Sequence, residues 1–547
     1  MNPLCRLICA MVLAFASLAD ARVIHVRGDA RDSREEGSAE HPFRTITRAV
    51  EAAGPGDIVK VTPIPEGYRE TVDFYRHPGG EPGRPVTLDG QGAELIGTEK
   101  VDPAGWEREG ELWVRSDLLP KLFLVVDGKM IFETHAGETL EPGEFAFVNR
   151  NPRRLVCRRS GPKALPPPLE AELESGARVR IAPGQWERTS DPGQLRFRVG
   201  EKVTALGSDG GALALVRARD RLRPGQWCEE EGRFYYRPAE GKTPGDLAME
   251  ACVRMNGIQI GGTTSHLVIR HFNARHFYND GYNIHGKARH LEFYDCNAMG
   301  MGDEGFSAHT DCETLADGAY YEYCGTGVGN MSYTTGSAAR TVTRNVVIRA
   351  ARTDGFRAGI RAAGVQHRLE GAIILDCSIG MKIGRGVEAD QVVVLASGER
   401  RGVQLEGGGS LSGVAVSVGG RPLSFLGAGD YTVSRGWIRG GAPMEIRSAP
   451  QQTIALRELS IAGELELTAG EGASRRTIPV AEGLEPYGAT VTFVANHEPE
   501  GFPGVRLAPP ETAGPEAALL ERALREWKNP VTHAQRVQTA LEKNRIP

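Results

Sequence analysis

Long apolar runs are scarce in this chain. Beyond the first twenty or so residues, no stretch is apolar enough to cross a bilayer, which takes about 20 residues, so no transmembrane segment is expected. An excess of basic charge is also missing: 65 Lys+Arg face 70 Asp+Glu. That balance argues against a nucleic-acid partner, which calls for a strongly basic surface, and leaves a sugar partner open. Cysteine is sparse. Cys5 and Cys9 lie near the start, and Cys157, Cys228, Cys252, Cys296, Cys312, Cys324 and Cys377 form an odd remainder with no CxxC pair. Neither a zinc pattern nor a dense disulfide framework fits. Buried thiols are expected at Cys296 and Cys377, and Cys312 with Cys324 is the pair to test first for a bridge. Nucleotide-binding loops, HExxH and GxSxG elements are absent.

What is present begins with a leader. Arg6 supplies a positive start, Leu7 to Leu18 form an apolar run too short to span a membrane, and Ala19-Asp20-Ala21 is a small-x-small site. The pattern predicts a secretory signal peptide over 1–21, cleaved after Ala21, and an exported protein, periplasmic or secreted. With 69 glycines in 547 residues, the remainder should consist of short strands and tight turns.

Those strands recur at a fixed period. An apolar–outward–apolar triplet appears as Ile258-Gln259-Ile260, Tyr282-Asn283-Ile284, Phe306-Ser307-Ala308, Met331-Ser332-Tyr333, Phe356-Arg357-Ala358 and Met381-Lys382-Ile383. It continues through Val403-Gln404-Leu405, Leu423-Ser424-Phe425, Met444-Glu445-Ile446 and Leu465-Glu466-Leu467. The central residue advances by 24, 24, 25, 25, 25, 22, 20, 21 and 21. Side chains alternate faces along a strand, so each triplet sends two residues inward and one outward. A coil of this length that returns to the same strand position is one rung of a solenoid, in which each rung buries its apolar face against its neighbours. A second row reads Leu267-Val268-Ile269, Leu291-Glu292-Phe293, Val346-Val347-Ile348 and Ile373-Ile374-Leu375. The expected fold is all-β, a right-handed parallel β-helix.

Near the mature start, HPFRTITRAVEAAGPGDIVKV followed by YRE predicts a helix carrying Phe43, Ile46, Ala49, Val50 and Ala53, then a first strand over 58–61. This block resembles the N-terminal cap and first rung of exported right-handed β-helix proteins that process carbohydrates, glycosidases and polysaccharide lyases among them. The resemblance implies a carbohydrate-active protein with a polysaccharide or oligosaccharide substrate. Domain expectations follow: cap and first rungs over 22–120, a β-rich insertion over 121–245 where the repeat is lost, rungs resuming at Met249 in a main helix over 246–470, and an extension with helices over 471–547. The insertion ends in PGQW and GRFYYRP, similar to a strand pair of β-helix glycosidases. In the extension, Leu519, Leu520, Ala523, Leu524 and Trp527 share a helical face suited to packing along or capping the solenoid.

Polar and charged groups converge on rungs 280 to 385. NDGYNIHG, GDEGFSAH and TDGF each place an acid ahead of Gly and an aromatic. Asp-Gly also makes turns, which accounts for Asp280 and Asp354 as well as catalysis does, and for Glu304 less well. Glycoside hydrolysis needs two carboxyls, one protonated and one ionised. Glu304 is the first candidate, with Asp303, Asp280 and Asp354 as partners. One rung separates Asp280 from Glu304, about 5 Å, near the spacing of retaining enzymes, and two rungs separate Glu304 from Asp354, about 10 Å, near that of inverting ones, so the spacing does not choose between them. Substrate-binding candidates are Asn283, His285, His309, Arg357 and Lys382. No metal or cofactor is required for hydrolysis.

A polysaccharide lyase is the alternative. There Arg357 and Lys382 would neutralise a uronate, and Asp280, Asp303 and Glu304 could hold Ca²⁺ through oxygen. A second alternative is a non-catalytic carbohydrate-binding or surface β-helix.

Overall fold

The computed structural model describes residues 21–31, 34–135, 214–331, 339–351, 358–363 and 366–442 continuously. It also describes shorter strand segments between 144 and 212 and between 444 and 494, and residues 521–523 and 525. The leader 1–20 lies outside the described residues, as do Asp354 and Arg357. Among the described residues no helix is long and apolar enough to cross a membrane.

The chain divides into two units, one over Met1–Gly97 with Arg254–Pro547 and the other over Thr98–Val253. The first is a parallel β-solenoid. In one strand row, Val72–Asp73, Ile258–Ile260, Tyr282–Ile284, Glu304–His309, Thr326–Met331, Ile360–Ala363, Ile379–Gly384 and Arg401–Glu406 follow one another in parallel register, and the row runs on to Leu465–Ala469. The alternation works as expected: Tyr282, Ile284, Phe306, Ala308, Met381 and Ile383 all lie in the continuous core.

Register departs from the even spacing at two rungs. Ser307 aligns with Gly329, Gly329 with Arg361, and Arg361 with Lys382. The fourth and fifth triplets are therefore Val328-Gly329-Asn330 and Ile360-Arg361-Ala362, not Met331-Ser332-Tyr333 and Phe356-Arg357-Ala358. A rung of 22 residues is followed by one of 32. With the 21-residue step that follows, the three average to 25, so a constant-period reading passes through them without a visible break. The outward position beside Lys382 thus belongs to Arg361 rather than Arg357.

The second row is two rows. Leu267 aligns with Leu291, Thr314 and Thr341, whereas Ile348 aligns with Tyr321, Ala298 and Ile374. The chain turns between them through a residue with positive φ: His271, Asp295, Gly318, Asn345 and Gly371 occupy that corner in successive rungs. A left-handed residue, tolerated by Asn, Asp or Gly, turns the chain from one row into the next, and of these five corners only that at Gly371 lies within an unbroken strand, Gln366–Leu375.

A column of glycines sets the bend that opens the first row. A Cβ on Gly257, Gly281, Gly305, Gly327, Gly359 or Gly380 would fall 2.6–2.8 Å from the carbonyl oxygen of the next glycine in that column. Only a residue without a side chain lets the rungs approach this closely.

The helix forms over Ile46–Ala52, capped by Thr45, with Glu70 accepting from the Ile46 and Thr47 amides. The strand before it, Val23–Val26, was not anticipated and pairs in parallel with Ile58–Val61. The second unit is antiparallel apart from the short parallel pair of Glu144–Val148 with Ala214–Leu215, and it is wider than 121–245. Thr98–Lys100 pairs with Met249–Cys252, which also pairs with Phe123–Val126. Met249 is thus a strand of the second unit, and rungs resume at Ile258. The expected strand pair is Gln226–Glu230 with Arg233–Arg237.

Cys312 and Cys324 are not bridged. The Cys312 thiol donates to the His309 carbonyl at 2.7 Å, and Cys324 points to the carbonyls of Glu322 and Ala298. Burial pushes the Cys296 and Cys377 thiols up to about 12. Of the C-terminal helices, 521–523 and 525 are described and are helical. Ala523 is buried against Tyr320, Val347, Ile373, Leu375, Val393 and Leu395 on the outside of the solenoid.

The glycine column yields a stability prediction. Gly305→Ala would press a methyl against the Gly327 carbonyl and the Tyr321 ring, both 2.7 Å from the new carbon. It should destabilise the solenoid by about 1–3 kcal/mol, read as a lower thermal unfolding midpoint. Gly54→Ala, whose nearest neighbour is the Asp57 carboxylate at 3.9 Å, should leave the midpoint in place.

Candidate active site

The residue ahead of each glycine forms its own column: Asn256, Asp280, Glu304 and Thr326. Gly257 N donates to Asp280 O, Gly281 N to Glu304 O, and Glu304 pairs with Thr326. The backbone therefore stacks two carboxyls on adjacent rungs. Both are buried, Asp280 at 2% and Glu304 at 7% exposure.

Each acid has a different surrounding. Asp280 Oδ1 accepts from the Glu304 amide at 2.9 Å, and Oδ2 from Asn279 Nδ2 at 3.0 Å and Asn283 Nδ2 at 2.5 Å. Burial, reinforced by the charge of Glu304, nonetheless raises Asp280 to about 7. Glu304 turns onto the outer face and lies across Gly329, where any Cβ would overlap its carboxylate. His309 Nε2 contacts Glu304 Oε2 at 3.1 Å. Burial alone would push Glu304 up, but His309 and, further off, the charge of Arg361 outweigh it, and its carboxyl lies below the ordinary range. The Ser307 hydroxyl stands nearby without a well-formed hydrogen bond. For His309, burial lowers and Glu304 raises; the partner wins, and the imidazole is raised. His285, stacked on His309 with ring centroids 5.1 Å apart, is lowered by burial and by that neighbour's charge. Asp280 is thus displaced towards its neutral form and Glu304 towards its ionised form.

Beside the pair opens a cleft of 420 Å³, within the roughly 300–1,000 Å³ of small-ligand sites. Four amides, Asn256, Gln259, Asn279 and Asn283, line it with His285, and Tyr75 and Met255 stand at its rim. Tyr75 packs on Gly261, where a Cβ would meet the ring, and remains 45% exposed; Met255 is 49% exposed.

Of the sequence-derived candidates, the structure brings together Asp280, Glu304, Asn283, His285 and His309. Asp303 sits between the two rungs, its amide bonded to the Asn279 carbonyl and its own carbonyl to the Thr326 amide. Lys382 lies further along the column and pairs with Glu406 at 3.1 Å. Asp354 and Arg357 fall outside the described residues. Missed were Tyr75, Met255, Asn256 and Arg361. Asn256 could have been found, since Asn256-Gly257 precedes its triplet as Asp280-Gly281 and Glu304-Gly305 precede theirs. Among the described residues no group of three or more His, Cys, Asp or Glu is placed to hold a metal ion, and both Asp280 oxygens accept N–H donors.

No protein-family model matches the chain, and no curated protein matches it in sequence. A solved structure titled "The complex structure of XylC with xylose" is similar over 86% of this chain and 74% of that one, at 12% identity and a TM-score of 0.42. That likeness is too distant to carry an argument about the site.

Two predictions follow from the electrostatics. Asp280 is raised, so its stabilisation is complete below the usual carboxylate range, about 4, and is lost as pH rises through about 7. Asp280→Asn should flatten that part of the profile of unfolding midpoint against pH. In Glu304→Gln, His309 loses the partner that raises it. Histidine NMR titration should then find the His309 pKa lower than in the parent protein; an unchanged value would show that the contact does not form in solution.

Proposed function

We propose that this protein is an exported glycoside hydrolase acting on a polysaccharide or oligosaccharide, with Asp280 and Glu304 as its working carboxyls. The observation that carries this reading is the placement of the two buried acids on adjacent rungs beside an amide-lined cleft with Tyr75 at its rim. Glycosidic cleavage needs one neutral carboxyl to protonate the leaving oxygen and one carboxylate on the other side of the bond. Asp280, displaced towards its neutral form, and Glu304, displaced towards its ionised form, suit these two roles. Glu304 reaches across Gly329 on the following rung, so its carboxylate stands further from Asp280 than the about 4.8 Å between rungs, and it can serve as the nucleophile or as the base that activates a water. His309 holds Glu304 in place, and Asn283 orients Asp280. No cofactor enters this scheme.

Elimination from a uronate draws less support. Its expected base, Lys382, is engaged by Glu406, and the Asp280 oxygens already accept three N–H groups.

A panel of polysaccharides, read for new reducing ends and for the absorbance of unsaturated uronates, identifies the reaction. On the polymer that is cleaved, Glu304→Gln and Asp280→Asn should each lower kcat by at least about 100-fold with the fold intact by circular dichroism. Aryl glycosides with good leaving groups separate the roles, because loss of the acid spares them and loss of the nucleophile or base does not. Near-normal turnover in either variant removes that residue from the mechanism.

A further inference from the structure

The cleft wall is notable for the charge it lacks. None of its lining residues is Asp, Glu, Lys or Arg. Burial and the neighbouring His309 favour the uncharged form of His285, the one ring in the wall that could become cationic. Cations do stand further along the outer face, outside the cleft lining: Lys382 is paired with Glu406 at 3.1 Å, and Arg361 contributes to the field that holds Glu304 ionised.

The amides are also partly spent on one another. Asn256 Oδ1 accepts from Asn279 Nδ2 at 3.0 Å and from the Asp280 amide at 3.2 Å, and Asn256 Nδ2 donates to Gln259 Oε1 at 3.2 Å. Asn283 gives its Nδ2 to Asp280. What these bonds leave for a ligand is the Gln259 amide nitrogen and one N–H each of Asn256 and Asn283 as donors, and the Asn279 and Asn283 carbonyl oxygens as acceptors. Neutral donors and acceptors side by side suit vicinal hydroxyls, and the exposed Tyr75 ring with Met255 offers an apolar surface for the C–H face of a sugar ring. A carboxylate or sulfate in the same place would give up hydration for neutral amide groups alone among the described lining residues.

We propose that the cleft selects an uncharged pyranose residue and rejects uronate or sulfated residues at that position. This rests on the reading of the cleft as the substrate site. The selection is made by what the wall withholds: an acidic sugar would lose its hydration and gain only neutral N–H donors.

The test uses full-length Asp280→Asn, which keeps the neutral form of that carboxyl while blocking turnover. Its binding is measured by affinity electrophoresis and calorimetry on matched pairs: glucuronoxylan, polygalacturonate and alginate, each against its carboxyl-reduced counterpart. In any pair that binds, the carboxyl-reduced member should bind at least tenfold more tightly. Gln259→Lys, which places a cation in the wall, should narrow or reverse that ratio. Equal or tighter binding of the acidic member overturns the proposal, as does a Gln259→Lys variant that leaves the ratio unchanged. Absence of binding to every member overturns both this proposal and the substrate-site reading. The two are otherwise separable. A preference for the acidic polymer together with loss of turnover in Glu304→Gln would leave the hydrolase standing and refute neutral selection. A neutral preference with normal turnover in Glu304→Gln would do the opposite.

Discussion

Close approach of the backbone at the glycine column governs the rest of the solenoid. From Gly257 to Gly380, each glycine leaves no room for a Cβ against the next carbonyl, so every rung must enter its strand at the same point. That constraint fixes the phase of the alternation and sends Tyr282, Phe306 and Met381 into the core. It also fixes the residue just ahead of each glycine. Asn256, Asp280, Glu304 and Thr326 are stacked because the glycines behind them are.

Stacking has an electrostatic consequence. Two full negative charges about 5 Å apart at an effective dielectric near 20 would repel by about 3 kcal/mol, and burial adds to the cost of each. Two different accommodations relieve it. Asp280 is raised towards neutrality, while Glu304 leaves the column, crosses the side-chain-free surface of Gly329 and meets His309. A strain that a purely structural column would avoid by using Asn throughout, as it does at Asn256, is instead resolved into one neutral and one ionised acid. This asymmetry is what glycosidic chemistry requires.

The fold was legible because the triplets are short, apolar and evenly stepped, and because a register slip by one residue would turn the core face outward. The cap helix and Ile58–Val61 were legible from their periodicity. Register failed where a 22-residue rung adjoins a 32-residue one, since evenness was the only ruler available; Arg357 was named in place of Arg361 for that reason. Of the site, the acid–glycine–aromatic motifs disclosed Asp280 and Glu304, and the alternation disclosed Asn283, His285 and His309. Tyr75 and Met255 could not be read from the repeat. They sit outside its triplets, and their place at the cleft depends on how loops from separate rungs meet. The Cys312–Cys324 bridge was suggested by nearness in sequence, whereas the thiols end on different carbonyls.

Adjacent rungs are the centre of this account, and product stereochemistry reports on them most directly. Proton NMR of the first sugar released from the cleaved substrate, recorded before mutarotation, distinguishes the two outcomes. A single anomer in that first product is the result that an acid paired with one carboxylate predicts. A mixture of anomers, or an unsaturated uronate product, would contradict the pairing of Asp280 with Glu304.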